Sequence, residues 1–371
     1  MNPVLFTPAY LAACFSDNYT DAQQKFKQLG HGQPEHRAYR EFVYPQTGPN
    51  AETLLTAVSW HGDTDAPCLL VLQSATHGVE GFAGSAIQLD TLQTLTGKSL
   101  PAGVAVLYIH VLNPFGFAWL RRVNEDGVDL NRNFVDFTRP LPTNTGYAQL
   151  ADKILPASLA DWESATQALT EYANEFGQQA LELAVSGGQY QFADGLFYGG
   201  THPSQTRLNL EQIMADFDIV KRKRVAVIDI HSGLGPFGYG EVICDHPPGS
   251  TGVKLAKQWY GNSVTEPALG SSTSVTKLGL IDYLWQQQLA EKVCFVTLEF
   301  GTYTVDEMFE VLRRDHYLHR NSVAWSAPET QQVKQAVRRF FYPGTADWQE
   351  MVLMRGRQCV RQALQGLSSS L

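Results

Sequence analysis

No apolar run in the 371-residue chain approaches the length that a membrane-spanning helix needs, roughly 20 residues; the longest, such as Val104 to Leu112, fall far short. Cysteine is scarce. The five cysteines (Cys14, Cys68, Cys244, Cys294, Cys359) are odd in number and scattered, most of them within apolar runs, which argues against a disulfide framework and against a cysteine-type zinc site. Positive charge is in the minority, with 28 Lys and Arg against 37 Asp and Glu and a net charge of -9, so neither nucleic acid nor an anionic membrane is expected as the partner. The single basic run, Lys221 to Arg224, leads directly into an apolar segment and reads as a solvated strand start. The amino terminus has no basic leader and is interrupted by Pro3 and Pro8, a poor secretory signal, so a cytoplasmic protein is expected. No repeat is visible, and no low-complexity segment beyond the terminal serines.

What is present is an ordinary globular composition, 44% hydrophobic and 18% charged, with ample material for a large core. Seven short segments have strand character: Glu41–Tyr44, Thr53–Trp60, Pro67–Ala75, Val104–Leu112, a run from Val225, Tyr239–Cys244 and a run from Val293. Helical patterns separate many of them, including Gly84–Leu95, Glu163–Ala184, Pro203–Phe217, Gly279–Leu289 and Asp347–Leu367. The run Gly233-Leu-Gly-Pro-Phe-Gly238 matches a dinucleotide-binding fingerprint in letters alone. Pro236 interrupts it, and a strand resumes where a phosphate-binding helix is required.

Chemistry concentrates at the carboxyl ends of the buried strand patterns, where open α/β sheets gather their ligands. His77-Gly-Val-Glu80-Gly81 follows one of them and offers an imidazole and a carboxylate three residues apart. Beyond Leu112, a polar segment carries Arg121, Arg122, Asn131 and Arg132, planar groups suited to gripping a carboxylate, although the segment reads equally as a surface loop paired with Glu125, Asp126 and Asp129. His231 ends the strand that begins at Val225, with Asp229 on the same face, and Glu299 ends the strand that begins at Val293. His110 lies within a strand pattern and reads as a core residue. Two histidines and a glutamate are the donor set of catalytic zinc sites that keep one position open, and such sites need a further carboxylate as general base and a fixed cation for the oxyanion.

In this order (H-x-x-E, then G-V-D-L-N-R-N-F, then D-x-H-S, then T-L-E-F), the chain resembles the zinc carboxypeptidase superfamily. It is similar in particular to the branch containing succinylglutamate desuccinylase and aspartoacylase, and to a bacterial group of unassigned function within it. The resemblance covers most of Pro67 to Gly301. It implies a three-layer α/β/α sandwich with a mixed, mostly parallel central sheet of about eight strands. The whole of 1–371 would be one catalytic domain with a mainly helical insertion at about 140–200, expected to cap the site and restrict substrates. It further implies one Zn2+ ion, a second metal remaining open, held by His77, Glu80 and His231. Glu299 would be the general base, Arg122 the oxyanion stabiliser with Arg121 competing for that role, and Asn131 and Arg132 the grip on a substrate carboxylate.

The implied activity is hydrolysis of an amide bond next to a free carboxylate in a small molecule or short peptide. The alternatives are an N-acyl amino acid deacylase and a catalytically silent metal-dependent binding protein. Two departures stand out: Val79 replaces the arginine usual in digestive carboxypeptidases, and the gap from Glu80 to His231 is long. Asp229 is read as orienting His231 or holding a second metal, and the family's tyrosine is open among Tyr239, Tyr283 and Tyr303.

Overall fold

Alternate residues along the central strands point to opposite faces of the sheet, and here both faces are apolar. In the computed structural model, which describes residues 6–31 and 36–371, seven strands form one sheet: β1 (His36–Thr47), β2 (Thr53–His61), β3 (Cys68–Ser74), β4 (Val104–His110), β5 (Arg224–Gly233), β6 (Gly240–Ile243) and β7 (Val293–Gly301). Leu70 and Leu72 of β3, Val106 and Tyr108 of β4, and Ala226 and Ile228 of β5 face one core, where the helices Gly81–Leu95 and Ala346–Ser368 pack. Their neighbours Leu69, Val71, Ala105, Leu107, Val225 and Val227 face a second core, closed by the helices Gln205–Asp216 and Asp282–Leu289. Strands buried on both faces explain the unbroken apolar runs in the sequence.

The strand order is β1-β2-β4-β3-β5-β7-β6. β4, β3, β5 and β7 are mutually parallel, β2 and β6 run antiparallel to their neighbours, and β1 is antiparallel to β2, so five of the seven strands share one direction. The architecture is the expected mixed α/β sandwich, with seven strands among the described residues rather than eight. All seven overlap runs readable as strands, although β1 extends well beyond Glu41–Tyr44, so the difference in number lies in the count that the resemblance implied.

The long helical pattern over Glu163–Ala184 is two helices, Trp162–Phe176 and Gln178–Ser186. Gly177 parts them at φ 95°, a conformation that suits glycine and ends a helix. The sequence also has a helical pattern from about Asn2 to Leu29, whose start lies outside the described residues. His110 is a core residue: Ser85 Oγ lies 2.9 Å from its Nε2, Phe26 stacks on its ring at 4.2 Å, and burial lowers its pKa to about 3. Among the described residues, no helix is long and apolar enough to cross a membrane.

One buried ion cluster fastens the segment after β4 to the carboxy-terminal helices. Asp315, on helix Val305–Arg320, accepts from Arg121 Nε at 2.9 Å and from the ammonium of Lys334 on helix Pro328–Phe341. Burial pushes the Asp315 carboxyl up, but Lys334 and Arg121 outweigh it and hold the group far below the usual carboxylate range. Because the folded pKa lies below the ~4 of an unfolded aspartate, this stabilisation is fully present above that value and drains away as pH falls towards the folded pKa. Asp315→Asn leaves two buried cations without their counter-charge and is expected to cost roughly 3–5 kcal/mol at pH 7. Urea denaturation should show the gap between wild type and variant narrowing from pH 7 to pH 3.

Candidate metal centre and active site

The carboxyl edge of the parallel strands is shaped by two backbone turns that side-chain-bearing residues seldom adopt. Ala75 after β3 has φ 56° and Val111 after β4 has φ 65°. Such residues cost roughly 1–3 kcal/mol each and persist only where their surroundings fix them. Here Leu112 N donates to Ser74 O (2.9 Å), Asn113 N to Ala75 O (2.9 Å), Val111 N to Ser74 Oγ (3.1 Å), and Thr56 Oγ1 to Val111 O (2.9 Å). The two turns carry the chain into the His77–Glu80 loop on one side and the arginine segment on the other. These loops are joined in turn, since Gly78 N and Val79 N donate to the carbonyls of Arg122 and Arg121 (3.1 and 2.9 Å). A Cβ on Gly78 would lie 2.1 Å from the carbonyl carbon of Gly116, so the approach requires glycine.

His77, Glu80 and His231 are all buried, and one donor atom from each lies within 4.8 Å of the other two. His77 Nδ1 is 2.9 Å from Glu80 Oε1, His231 Nδ1 is 2.8 Å from Glu80 Oε2, and the two Nδ1 atoms are 3.1 Å apart. The remaining nitrogens face carboxylates: His77 Nε2 lies 3.1 Å from Asp129 Oδ1, and His231 Nε2 lies 2.7 Å from Asp229 Oδ2. The His231 tautomer that donates from Nε2 to Asp229 leaves the Nδ1 lone pair facing Glu80, the carboxylate–histidine arrangement that orients metal ligands, whereas His77 Nε2 is shared between Asp129 and the Arg122 guanidinium, which can only donate. The donor set and its backing therefore fit a divalent metal such as zinc. Asp229 uses its other oxygen, Oδ1, to accept from Thr76 Oγ1 (2.8 Å), which fixes the carboxylate whose Oδ2 holds His231.

Charges compensate one another throughout this cluster. Burial lowers the His231 pKa, but Asp229 and Glu80 outweigh it and raise it well above the ordinary value. Burial raises the Glu80 and Asp129 carboxyls, but His77 and His231 around the first, and Arg122 and His77 around the second, pull them far down. Glu299 differs. Burial and the neighbouring Glu80 raise its pKa to about 7 against the opposing pull of His231, the Leu234 N–H at 3.0 Å and Arg122. Unlike Asp129 and Asp229, it stands outside the donor set without bonding to either histidine, among the described residues.

Glu299, Arg122, Asn131 and Arg132 join the three donors in lining one cavity of about 70 Å³, room for several waters at the ~10–15 Å³ that each requires. Arg122 reaches Glu80 Oε1 (2.9 Å), Asp129 Oδ2 (3.0 Å) and His77 Nε2 (2.8 Å). Asn131 Oδ1 accepts from Ile281 N (2.9 Å), which commits the carbonyl and leaves the amide NH2 as the donating end. Arg121 is not among the lining residues; its guanidinium belongs to the Asp315 cluster. None of Tyr239, Tyr283 and Tyr303 lines the cavity.

Several lining or supporting residues were not singled out in the sequence. Asp129 stands two positions before Asn131, inside the motif itself, and its role was masked by its equal fitness for a surface ion pair. Lys277 and Asp245 come from irregular segments without periodicity. From the 140–200 region, Glu182, Ser186 and Phe197 reach the cavity wall, with the Arg122 and Arg132 guanidinium carbons 5.4 and 5.6 Å from the Phe197 ring centroid.

Two substitutions test this construction. Gly78→Ala should force the His77–Glu80 loop off the Gly116 backbone and abolish stoichiometric zinc uptake, measured by mass spectrometry after dialysis. Asp229→Asn should retain the ligands but weaken zinc binding ~10- to 100-fold in a chelator competition; unchanged affinity would remove Asp229 from the metal site.

The structure is similar to that of carboxypeptidase A from Helicoverpa armigera, at a TM-score of 0.52 and 13% identity, covering 96% of this chain and 75% of that one. Bovine thrombin-activatable fibrinolysis inhibitor aligns at a TM-score of 0.49 and 12% identity (97% and 99% covered), and an aspartoacylase family protein from Mesorhizobium loti at 0.38 and 14% (73% and 62% covered). At 13% identity the first of these establishes a shared fold. No curated protein matches the sequence. A family model described as "Protein of unknown function (DUF2817)" matches residues 15–355. The chain therefore belongs to the DUF2817 family, and it is built on the carboxypeptidase A fold.

Proposed function

We propose that the protein is a metal-dependent hydrolase, with zinc the ion that best suits its ligands, and that it cleaves an amide bond next to a free carboxylate in a small molecule or short peptide. The observation that carries this reading is the separation of roles within one cavity. A His-Glu-His donor set backed by two aspartates lies beside a carboxylate outside that set, Glu299, and beside Arg132, which is fully buried and bonded only to carbonyls.

When bound, a divalent metal supplies Lewis acidity to the substrate carbonyl and acidity to the attacking water. The chain's own groups account for the remainder. Glu299, held by the Leu234 N–H and raised towards neutrality, accepts the proton of the attacking water and returns it to the leaving amine. Arg122 keeps its charge in a buried position fixed by Asp129 and Glu80, where a cation best stabilises the developing oxyanion. Asn131 and Arg132 hold the substrate carboxylate, and with it the scissile bond, in place. Phe197, Phe309 and Phe341 supply apolar wall that reduces access of water.

Glu299→Gln is expected to lower turnover ~10²–10⁴-fold while metal content stays at wild-type level. Loss of metal in that variant would assign Glu299 to the ligand set instead. Substrate profiling should pair short peptides with N-acyl amino acids, each beside its carboxamide counterpart. Hydrolysis confined to the free acids is the expected result, and the ratio between the two series identifies a carboxypeptidase or a deacylase. Stoichiometric binding without turnover of either series would show a binding protein.

A further inference from the structure

Two cations on the cavity wall are bonded only to neutral groups. Arg132 is completely buried, yet its guanidinium donates to the carbonyls of Asn131 (2.7 Å) and Ser186 (2.6 Å), while among the described residues its Nε has no acceptor. Lys277 is part-buried and donates to the Ser274 hydroxyl and to the Val275 carbonyl (3.1 Å). Among the described residues, neither forms an ion pair with a carboxylate. Taking a cation out of water without a counter-charge is expensive, and this region holds two. They act on each other: after burial, Arg132 is the largest influence lowering the Lys277 ammonium, to about 8, against the pull of Asp245 and Glu299.

Asp245 lines the same cavity. Burial raises its carboxyl, and Lys277 and Arg132 oppose that rise. Asp129 and Glu299 also attract Arg132 and Lys277, but from the donor end of the cavity, where they answer Arg122 and the histidines; at this end two cations face the one carboxylate of Asp245. Glu182 also reaches the wall but is less deeply enclosed than Lys277, so solvent screens it more. A single bound carboxylate closes the balance; a second would overturn it.

The segment that presents Lys277 is anchored rather than loose. Glu241 of β6 accepts from Thr265 Oγ1 (2.5 Å), Ser272 Oγ (2.8 Å), Thr273 N (3.2 Å) and the Thr273 hydroxyl, and Tyr283 Oη donates to the Lys277 carbonyl (3.2 Å). The lysine is thus held near Arg132 before any ligand arrives, which reduces the ordering cost of binding.

We propose that Lys277 is a specificity-determining residue that joins Arg132 and Asn131 in holding one and the same substrate carboxylate, with Asp245 as the resident counter-charge. The inference rests on the hydrolase reading and narrows it: the group bound at this end is a monocarboxylate, and a second acid beside the first is disfavoured.

The test is calorimetric titration of the full chain, zinc-loaded and chelator-treated, with 3-phenylpropanoate, its carboxamide and phenylsuccinate. Wild type should bind the monocarboxylate and not the amide. Lys277→Met and Arg132→Met should each weaken that binding ~10- to 100-fold, Lys277→Arg should retain most of it, and Asp245→Asn should tighten it and admit phenylsuccinate. A thermal melt checks that each variant folds, with Lys277→Gln replacing a methionine variant that does not. If Arg132→Met weakens binding and Lys277→Met leaves it unchanged, the proposal fails while the hydrolase reading stands. If Lys277→Met weakens only phenylsuccinate, the lysine serves a separate acid subsite and the proposal also fails. If neither substitution matters, the carboxylate reading falls with it.

Discussion

Glu80 is the constraint on which the active edge of this protein depends. Its carboxylate is almost completely buried, and an isolated charge there would cost several kcal/mol or more. It is tolerated because its two oxygens are shared among His77, His231, Arg122 and the Ser232 N–H, groups that arrive from three separate parts of the chain. None of those partners is well placed alone. His231 needs Asp229, Asp229 needs Thr76, Arg122 needs Asp129, and Asp129 also receives the Asn131 N–H. Removing one member strands the others in a region with little water, which is why the cluster is best understood as one electrostatic object.

The sheet makes this convergence possible at low entropic cost. Because β4, β3, β5 and β7 are neighbours running the same way, segments distant in sequence finish at one edge, and the pairing of His231 with Glu299 across β5 and β7 is fixed by strand register. The left-handed turns at Ala75 and Val111 are an expense of the same design, offset by the bonds that staple β3, β4 and β2 together. The 189–200 segment braces the motif from outside: Asp129 N donates to Tyr198 O (2.8 Å), Asn133 Nδ2 to Gly199 O (2.8 Å) and Tyr190 Oη to Arg132 O (2.7 Å). The 140–200 region thus shares in positioning the groups at the cavity as well as contributing to its wall.

How much of this was legible in the sequence follows from the kind of signal each residue leaves. His77, Glu80, His231 and Glu299 stand at the ends of apolar runs whose period marks buried strands, so their common edge follows from the pattern itself. Arg121 and Arg122 leave no such mark. They are adjacent, chemically identical and in irregular backbone, and what separates them is Asp315 and Lys334, contributed by helices about two hundred residues later. Gly177 breaks the helix, but apolar spacing that continues on either side of it hides the break. Lys277 and Asp245 were illegible for a deeper reason: what distinguishes them from ordinary loop charges is their burial against Arg132, a tertiary fact.

The charge distribution in the cavity is asymmetric in a way that favours the two ligands of the hydrolase reading together. Where the donors sit, Glu80, Glu299, Asp129 and Asp229 are answered by Arg122 and the two histidines, a balance that asks for additional positive charge once the histidines are neutral ligands. Around Arg132 and Lys277 the excess is of the opposite sign. A divalent cation and a substrate carboxylate would therefore each relieve the imbalance that the protein builds at its own end, and each would lie within the field of the other. In a small, largely buried cavity that field is weakly screened, so metal and carboxylate should bind cooperatively. Under the hydrolase reading, selectivity for a free carboxylate would come from the positive excess around Arg132 and Lys277, and affinity for a metal from the opposite excess around the donors.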